Sequence, residues 1–127
     1  MAKYNSFEEI EVYRKSIVFV ANIYNLIENN SNLQKDFGLK DQFRRAALSI
    51  SNNIAEGFER ETKKELIRFL YIAKGSAGEC RNILNVINIL GFIDEQEFTK
   101  RRTEIIEISQ QLGSYIKYLK KLDQSNN

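Results

Sequence analysis

The sequence has no histidine, no proline and a single cysteine, Cys80, in 127 residues. Histidine is the commonest general base and metal ligand. Its absence removes Ser–His and Cys–His nucleophiles and leaves a zinc site with one cysteine and carboxylates only. One cysteine excludes an internal disulfide. Cys80 falls among apolar helical positions and reads as a small buried hydrophobe rather than a nucleophile. Without proline, nothing forces a kink inside a helix. No apolar run approaches the ~18 residues of a membrane span. The first residues, Met1 to Glu9, run into an acidic segment and lack the apolar core of a signal peptide. These absences lead us to expect a cytoplasmic chain that is not an enzyme, with no catalytic residue, metal or cofactor and no membrane association.

Charge is also scarce. The formal net charge is +2, against 43% hydrophobic and 28% charged residues, an ordinary balance for a globular protein. A nucleic-acid partner must therefore be argued from local clusters rather than from the whole chain. The length suits one domain, residues 1–127, with one core.

What is present is helical period. Ser6 with Glu9, Thr62 with Glu65 and Asp94 with Glu97 have the spacing of capping boxes, in which a short oxygen side chain and a carboxylate three residues on satisfy free backbone amides. The first helix is expected from Phe7 to Glu28. Ile10, Tyr13, Ile17, Val20, Tyr24 and Ile27 are spaced as a heptad seam and are read as its core face. A second apolar row, Val12, Phe19, Ile23 and Leu26, lies ~120° around the helix. Asn29 to Lys35 reads as a connection, with Asp36 or Lys40–Asp41 opening the second helix and Gly38 in the turn. The second helix runs from near Leu39 to Ala55 or Gly57, with Phe43, Ala46, Ile50 and Ile54 inward. The third runs from Thr62 to near Gly91, with Leu66, Phe69, Ala73, Ala77, Cys80, Leu84 and Ile87 inward and Gly91 as the cap. The fourth runs from Glu95 to about Leu122 on Phe98, Ile105, Ile108, Leu112, Tyr115, Leu119 and Leu122. A polar tail from Asp123 is expected to fray. Long helices with short connections give an all-α, antiparallel up-and-down four-helix bundle.

Two stretches break the amphipathic pattern. In Arg44 to Gly57, Arg45, Ser49, Asn52 and Glu56 share a face, with Asn53 at its border. In Arg68 to Glu79, Gly75 and Gly78 lie deep inside a helix, each costing ~1 kcal/mol relative to alanine, which suggests close approach of a neighbouring backbone. The run Ser49-Ile50, Asn53-Ile54-Ala55-Glu56-Gly57, Arg68-Phe69-Leu70, Ala73-Lys74-Gly75-Ser76 and Glu79 resembles the four-helix-bundle family of the 23S rRNA intervening sequence protein, or S23 type. Gly38-Leu39, Gln42, Arg44-Arg45-Ala46 and the early aromatic Phe7 fit the same pattern, so the resemblance covers nearly the whole chain. That family often carries proline where this chain has Ser51. The resemblance implies a homopentameric ring, often encoded within inserts of large-subunit ribosomal RNA genes.

Three groups of residues carry the functional expectations. Arg45, Ser49, Asn53, Glu56, Ser76 and Glu79 form a polar set, read as an interhelical or intersubunit network that fixes register. Arg60, Lys63, Lys64 and Arg68, with Tyr71 continuing the row, form a basic-aromatic cluster able to hold phosphates and stack a base, although Glu59, Glu61 and Glu65 dilute it. Val12, Phe19, Ile23 and Leu26 would be surplus on a monomer and are read as an interface with another copy. The leading expectation is a homo-oligomer that binds RNA or a ribonucleoprotein. The alternative is a protein-interaction scaffold without affinity for nucleic acid.

Overall fold

The computed structural model describes residues 4–125. A 3-10 turn, Phe7–Glu9, precedes α1 (Glu11–Glu28), α2 (Ser31–Lys35), α3 (Phe37–Phe58), α4 (Lys63–Ile89) and α5 (Glu95–Ser125). The expected bundle is there. The four long helices alternate in direction, and contacts link α1 to α3, α3 to α4, α4 to α5, and α5 back to α1. Going round the bundle, α1 is diagonal to α4 and α3 to α5. No helix among the described residues is long and apolar enough to cross a membrane.

The helix ends follow from sequence. Asp36 accepts from Leu39 N–H at 3.0 Å, Thr62 from Glu65 N–H at 3.1 Å and Asp94 from Glu97 N–H at 2.8 Å. Each satisfies a backbone amide that the helix leaves without an internal partner. Ser6 makes no such bond; instead the Glu9 carboxylate accepts from Asn5 N–H at 3.0 Å. Gly38 lies in the first turn of α3 rather than in a loop. The stretch read as a connection contains α2, whose start is capped by Asn30 on Leu33 N–H and whose Leu33 is fully buried. α4 ends in a Schellman turn: Gly91 takes φ 74°, Phe92 N–H donates to Ile87 O and Gly91 N–H to Asn88 O. Asn30 Nδ2 donates to Phe92 O at 2.7 Å and ties this turn to the end of α1. The tail expected to fray is helical through Ser125; residues 126–127 lie outside the described residues.

The inward rows of α3, α4 and α5 match expectation, and Cys80 sits at the centre of the α4 row. α1 differs. Its core face is Val12, Ser16, Phe19, Ile23 and Ile27, whereas Ile17 and Tyr24 of the expected seam are 43% and 40% exposed. The Val12–Phe19–Ile23 row is therefore the chain's own core, with Leu26 packed at its edge, and it is not available to a second copy. Ser16 is what misdirects the periodicity. It is buried in mid-row, and its hydroxyl donates to Tyr13 O at 2.6 Å, so a polar residue enters the core with its hydrogen bond made.

Burial pushes the Cys80 thiol up to about 12 from its ordinary 9.0. The folded value lies above the unfolded one, so this group destabilises the fold only as pH rises past about 9. A disulfide-exchange reagent at pH 8 is expected to leave the native protein unlabelled and to react with Cys80 after denaturation. Labelling of native protein at the rate of a free thiol would contradict this packing.

Candidate nucleic-acid interface

Of the polar set, three residues meet. Ser49 Oγ and Ser76 Oγ are 2.8 Å apart, and Asn53 Nδ2 donates to Ser49 O at 2.7 Å and to Ser49 Oγ at 2.9 Å. The Asn53 bond leaves the Ser49 hydroxyl hydrogen free to donate to Ser76, so the chain of bonds runs from α3 to α4. Arg45, Glu56 and Glu79 stay outside it. Arg45 is exposed and paired with Asp41 one turn back, Glu56 is paired with Arg60, and Glu79 points to solvent. Their side chains are long and sit on the outer side of the same face, where water is the better partner.

The basic cluster at the start of α4 is partly engaged within the fold. Arg60 bonds Glu56 at 3.0 Å and lies 4.9 Å from the Phe69 ring centroid, and Arg68 lies 5.2 Å from the same ring. Lys63 is half-buried and Lys64 exposed, with Glu59, Glu61 and Glu65 around them. Tyr71, 48% exposed, lies on the outward face of α4 and belongs to a different neighbourhood: Lys120 of α5 donates to its hydroxyl, with Nζ 4.9 Å from the ring centroid.

That neighbourhood is the groove between α4 and α5. Along α4, Tyr71, Lys74, Gly78, Arg81 and Asn85 recur at intervals of three and four and so share one stripe. Along α5, Arg102, Ile106, Ser109, Gly113, Lys117 and Lys120 do the same. The two stripes face each other in antiparallel register. Lys120 meets Tyr71, and the Lys74 stem crosses α5 at Gly113, where a Cβ would stand 3.5 Å from Lys74 Cε. A hollow of about 320 Å³ opens between Lys74, Arg81, Ile106, Ser109, Gln110 and Gly113. The cations are exposed apart from Arg102, which is half-buried, and none of them takes part in the ion pairs among the described residues.

Neither stripe carries a carboxylate. On α4, Glu65 lies on the face of Ser76, which is turned to α3, and Glu79 points to solvent between that face and the outward one. On α5, Glu97, Glu104 and Glu107 are turned to α1, where they hold other groups. Arg101 sits between Glu97 at 3.0 Å and Glu104 at 3.1 Å, Asn22 donates to Glu104 at 2.7 Å, and Lys15 pairs with Glu107 at 2.8 Å. Burial raises the Glu104 carboxyl above its ordinary range, an effect that Arg101 and Asn22 offset in part. A second hollow, of about 410 Å³, lies on this α1–α5 side, lined by Asn22, Asn25, Asn29, Phe92, Asp94, Glu97 and Arg101 among others. Its two carboxylates, Asp94 and Glu97, outnumber its one cation, Arg101, whereas the hollow between α4 and α5 is lined by Lys74 and Arg81 without a carboxylate. No cluster of three or more metal-ligating side chains occurs among the described residues.

The pattern of the family described as the 23S rRNA-intervening sequence protein matches residues 8–114. The chain belongs to this family. No curated protein matches it. Among solved structures it is similar to a protein of unknown function from the S23 ribosomal protein family of Bacteroides thetaiotaomicron. The two share 30% identity with a TM-score of 0.79, over 84% of this chain and 98% of that one. In this member of the 23S rRNA-intervening sequence family, four of the residues that carried the resemblance lie at the α3–α4 seam. Ser49, Asn53 and Ser76 bond across the seam. Gly57 is buried where a Cβ would stand 2.6 Å from Phe69 Cβ. Gly75 and Gly78, expected at a close approach of a neighbouring helix backbone, have open space within the chain where a Cβ would be. The helix-on-helix contact that needs a glycine is at Gly57.

Proposed function

We propose that the protein is a non-enzymatic RNA-binding member of its family, which holds the phosphate backbone in the α4–α5 groove and works as a homo-oligomer. The observation that carries the RNA reading is the segregation of charge: Lys74, Arg81, Arg102, Lys117 and Lys120 share a groove, while Glu97, Glu104 and Glu107 of α5 are turned to α1 and Glu95, on the same face of α5, lies two turns beyond Arg102 at the end of the groove. A field of one sign survives there although the chain as a whole is nearly neutral. The name of the family, which refers to 23S rRNA, makes ribosomal RNA the first ligand to try.

Filter binding to ribosomal RNA fragments tests it. The pair Lys74→Glu and Lys117→Glu is expected to weaken binding by about tenfold or more at low salt and to flatten the dependence of affinity on salt. Lys64→Glu with Arg68→Glu is expected to change it less, because Arg68 already faces Phe69. Wild-type protein that binds no RNA at 50 mM salt rejects this reading in favour of a protein-interaction scaffold.

Assembly is favoured by a separate observation. The outward face of α4, beside the groove stripe, bears Gly75 with nothing near it, flanked by the exposed apolar side chains Ile72 and Val86. Interior glycines that serve no contact within the chain suit a helix surface that another copy approaches closely. Five copies is the number that the family resemblance implies.

A further inference from the structure

We infer that the α4–α5 groove takes a single RNA strand rather than a duplex, an inference that rests on the RNA reading above and sharpens it. The first ground is width. The groove lies between two packed helices, whose axes stand about 8–10 Å apart. A duplex is broader than that and bridges the helix crests without reaching the floor at Ser109 and Gly113. The hollow of about 320 Å³ beside Lys74 and Arg81 is sized for one sugar and phosphate.

The second ground is straightness. From Arg102 to Lys120 the α5 wall runs about 27 Å at 1.5 Å per residue, with cations facing it from α4. A strand within a duplex winds away from such a line and meets only part of it. An unpaired strand can follow it from end to end and pair phosphates with both walls.

The third ground is Tyr71. It stands at one end of the groove, half exposed, with its hydroxyl held by Lys120. That bond fixes the ring beside the line of cations. Aromatic stacking of this kind serves unpaired bases only, since those in a duplex are already stacked.

Fluorescence anisotropy with a labelled 12-nucleotide RNA, alone and annealed to its complement, decides the matter. The single strand is expected to bind at least tenfold more tightly at 50 mM salt, with a log–log salt slope of up to about 3.5 for its phosphates. Tyr71→Ala is expected to weaken the single strand by about fivefold or more and leave the duplex unchanged, while Tyr71→Phe, which keeps the ring, retains most of the affinity. Circular dichroism of both variants confirms the fold. Equal or tighter duplex binding, or a Tyr71→Ala loss shared alike by both forms, overturns the single-strand inference while leaving the RNA reading intact. Absence of binding to either form overturns both.

Discussion

Phe19→Glu is expected to unfold the bundle. Phe19 is 1% exposed and lies in the inward row of α1 between Val12 and Ile23. Truncating a buried phenylalanine to alanine costs about 3–5 kcal/mol. Glutamate adds the desolvation of a carboxylate with no cation set to receive it, several kcal/mol more unless it protonates. Against a domain stability of about 5–15 kcal/mol, the total removes most or all of the folded population. Far-UV circular dichroism should report loss of helix at 25 °C, independent of protein concentration. A surface position behaves otherwise: there, the same substitution would leave the helical signal and lower only the mass in solution. A variant that keeps its helix and melts within a few degrees of wild type would show that Phe19 is not in the core.

This prediction marks where the sequence was misread. Two apolar rows compete for the core on α1, and the longer, cleaner heptad is buried at its ends, Ile10 and Ile27, but turns Ile17 and Tyr24 outward. Ser16 interrupts the true core row, and nothing in its identity reveals that its hydroxyl bonds to Tyr13 O in the fold. Period alone therefore centred the core face on Ile17 and Tyr24 rather than on Phe19 and Ile23. Where no polar residue interrupts the row, as from Phe69 to Ile87 on α4 and Ile105 to Leu119 on α5, period identified the buried side chains correctly. Caps with a strong acceptor, Thr62 and Asp94, were legible for the same local reason. α2 was not, because five residues show too little period to stand out from a polar connection.

The candidate groove was illegible for a different reason. Lys74 and Arg81 look like isolated charges in α4, and Lys117 and Lys120 like part of a basic run in α5. Only the antiparallel register of the two helices brings them together, and only the third dimension shows that Glu107 faces Lys15 of α1. The cluster read from sequence, Arg60 to Arg68, was dense along the chain but is partly engaged with Glu56 and the Phe69 ring. A signal was available in Tyr71, Lys74, Gly78 and Arg81, whose three-and-four spacing places them on one helix face. It points to a surface only when the facing stripe on α5 is known.

The glycines give the second large effect, and its sign differs by position. In open helix, Gly→Ala stabilises by about 1 kcal/mol through propensity. At Gly57 that gain is overridden. The new Cβ would stand 2.6 Å from Phe69 Cβ and 3.2 Å from Leu66 Cδ1, and the first of these is attached to the α4 backbone and cannot swing aside. The helices must part. Overpacking of this kind costs about 1–3 kcal/mol, with the upper end expected because two backbones move rather than one side chain tip. The urea midpoint of Gly57→Ala should fall with little change in slope. Gly75→Ala and Gly78→Ala meet no atom within 4 Å in the chain, so an isolated subunit should gain about 1 kcal/mol from either. If instead another copy packs on the Gly75 face, the added methyl obstructs it, and Gly75→Ala should raise the dissociation constant of the assembly. Denaturation at low concentration and light scattering at high concentration separate the two effects. A gain in stability of Gly75→Ala with no change in mass at any concentration would refute the proposal that α4 presents Gly75 to another copy, and a Gly57→Ala variant as stable as wild type would refute the close packing of α3 on α4.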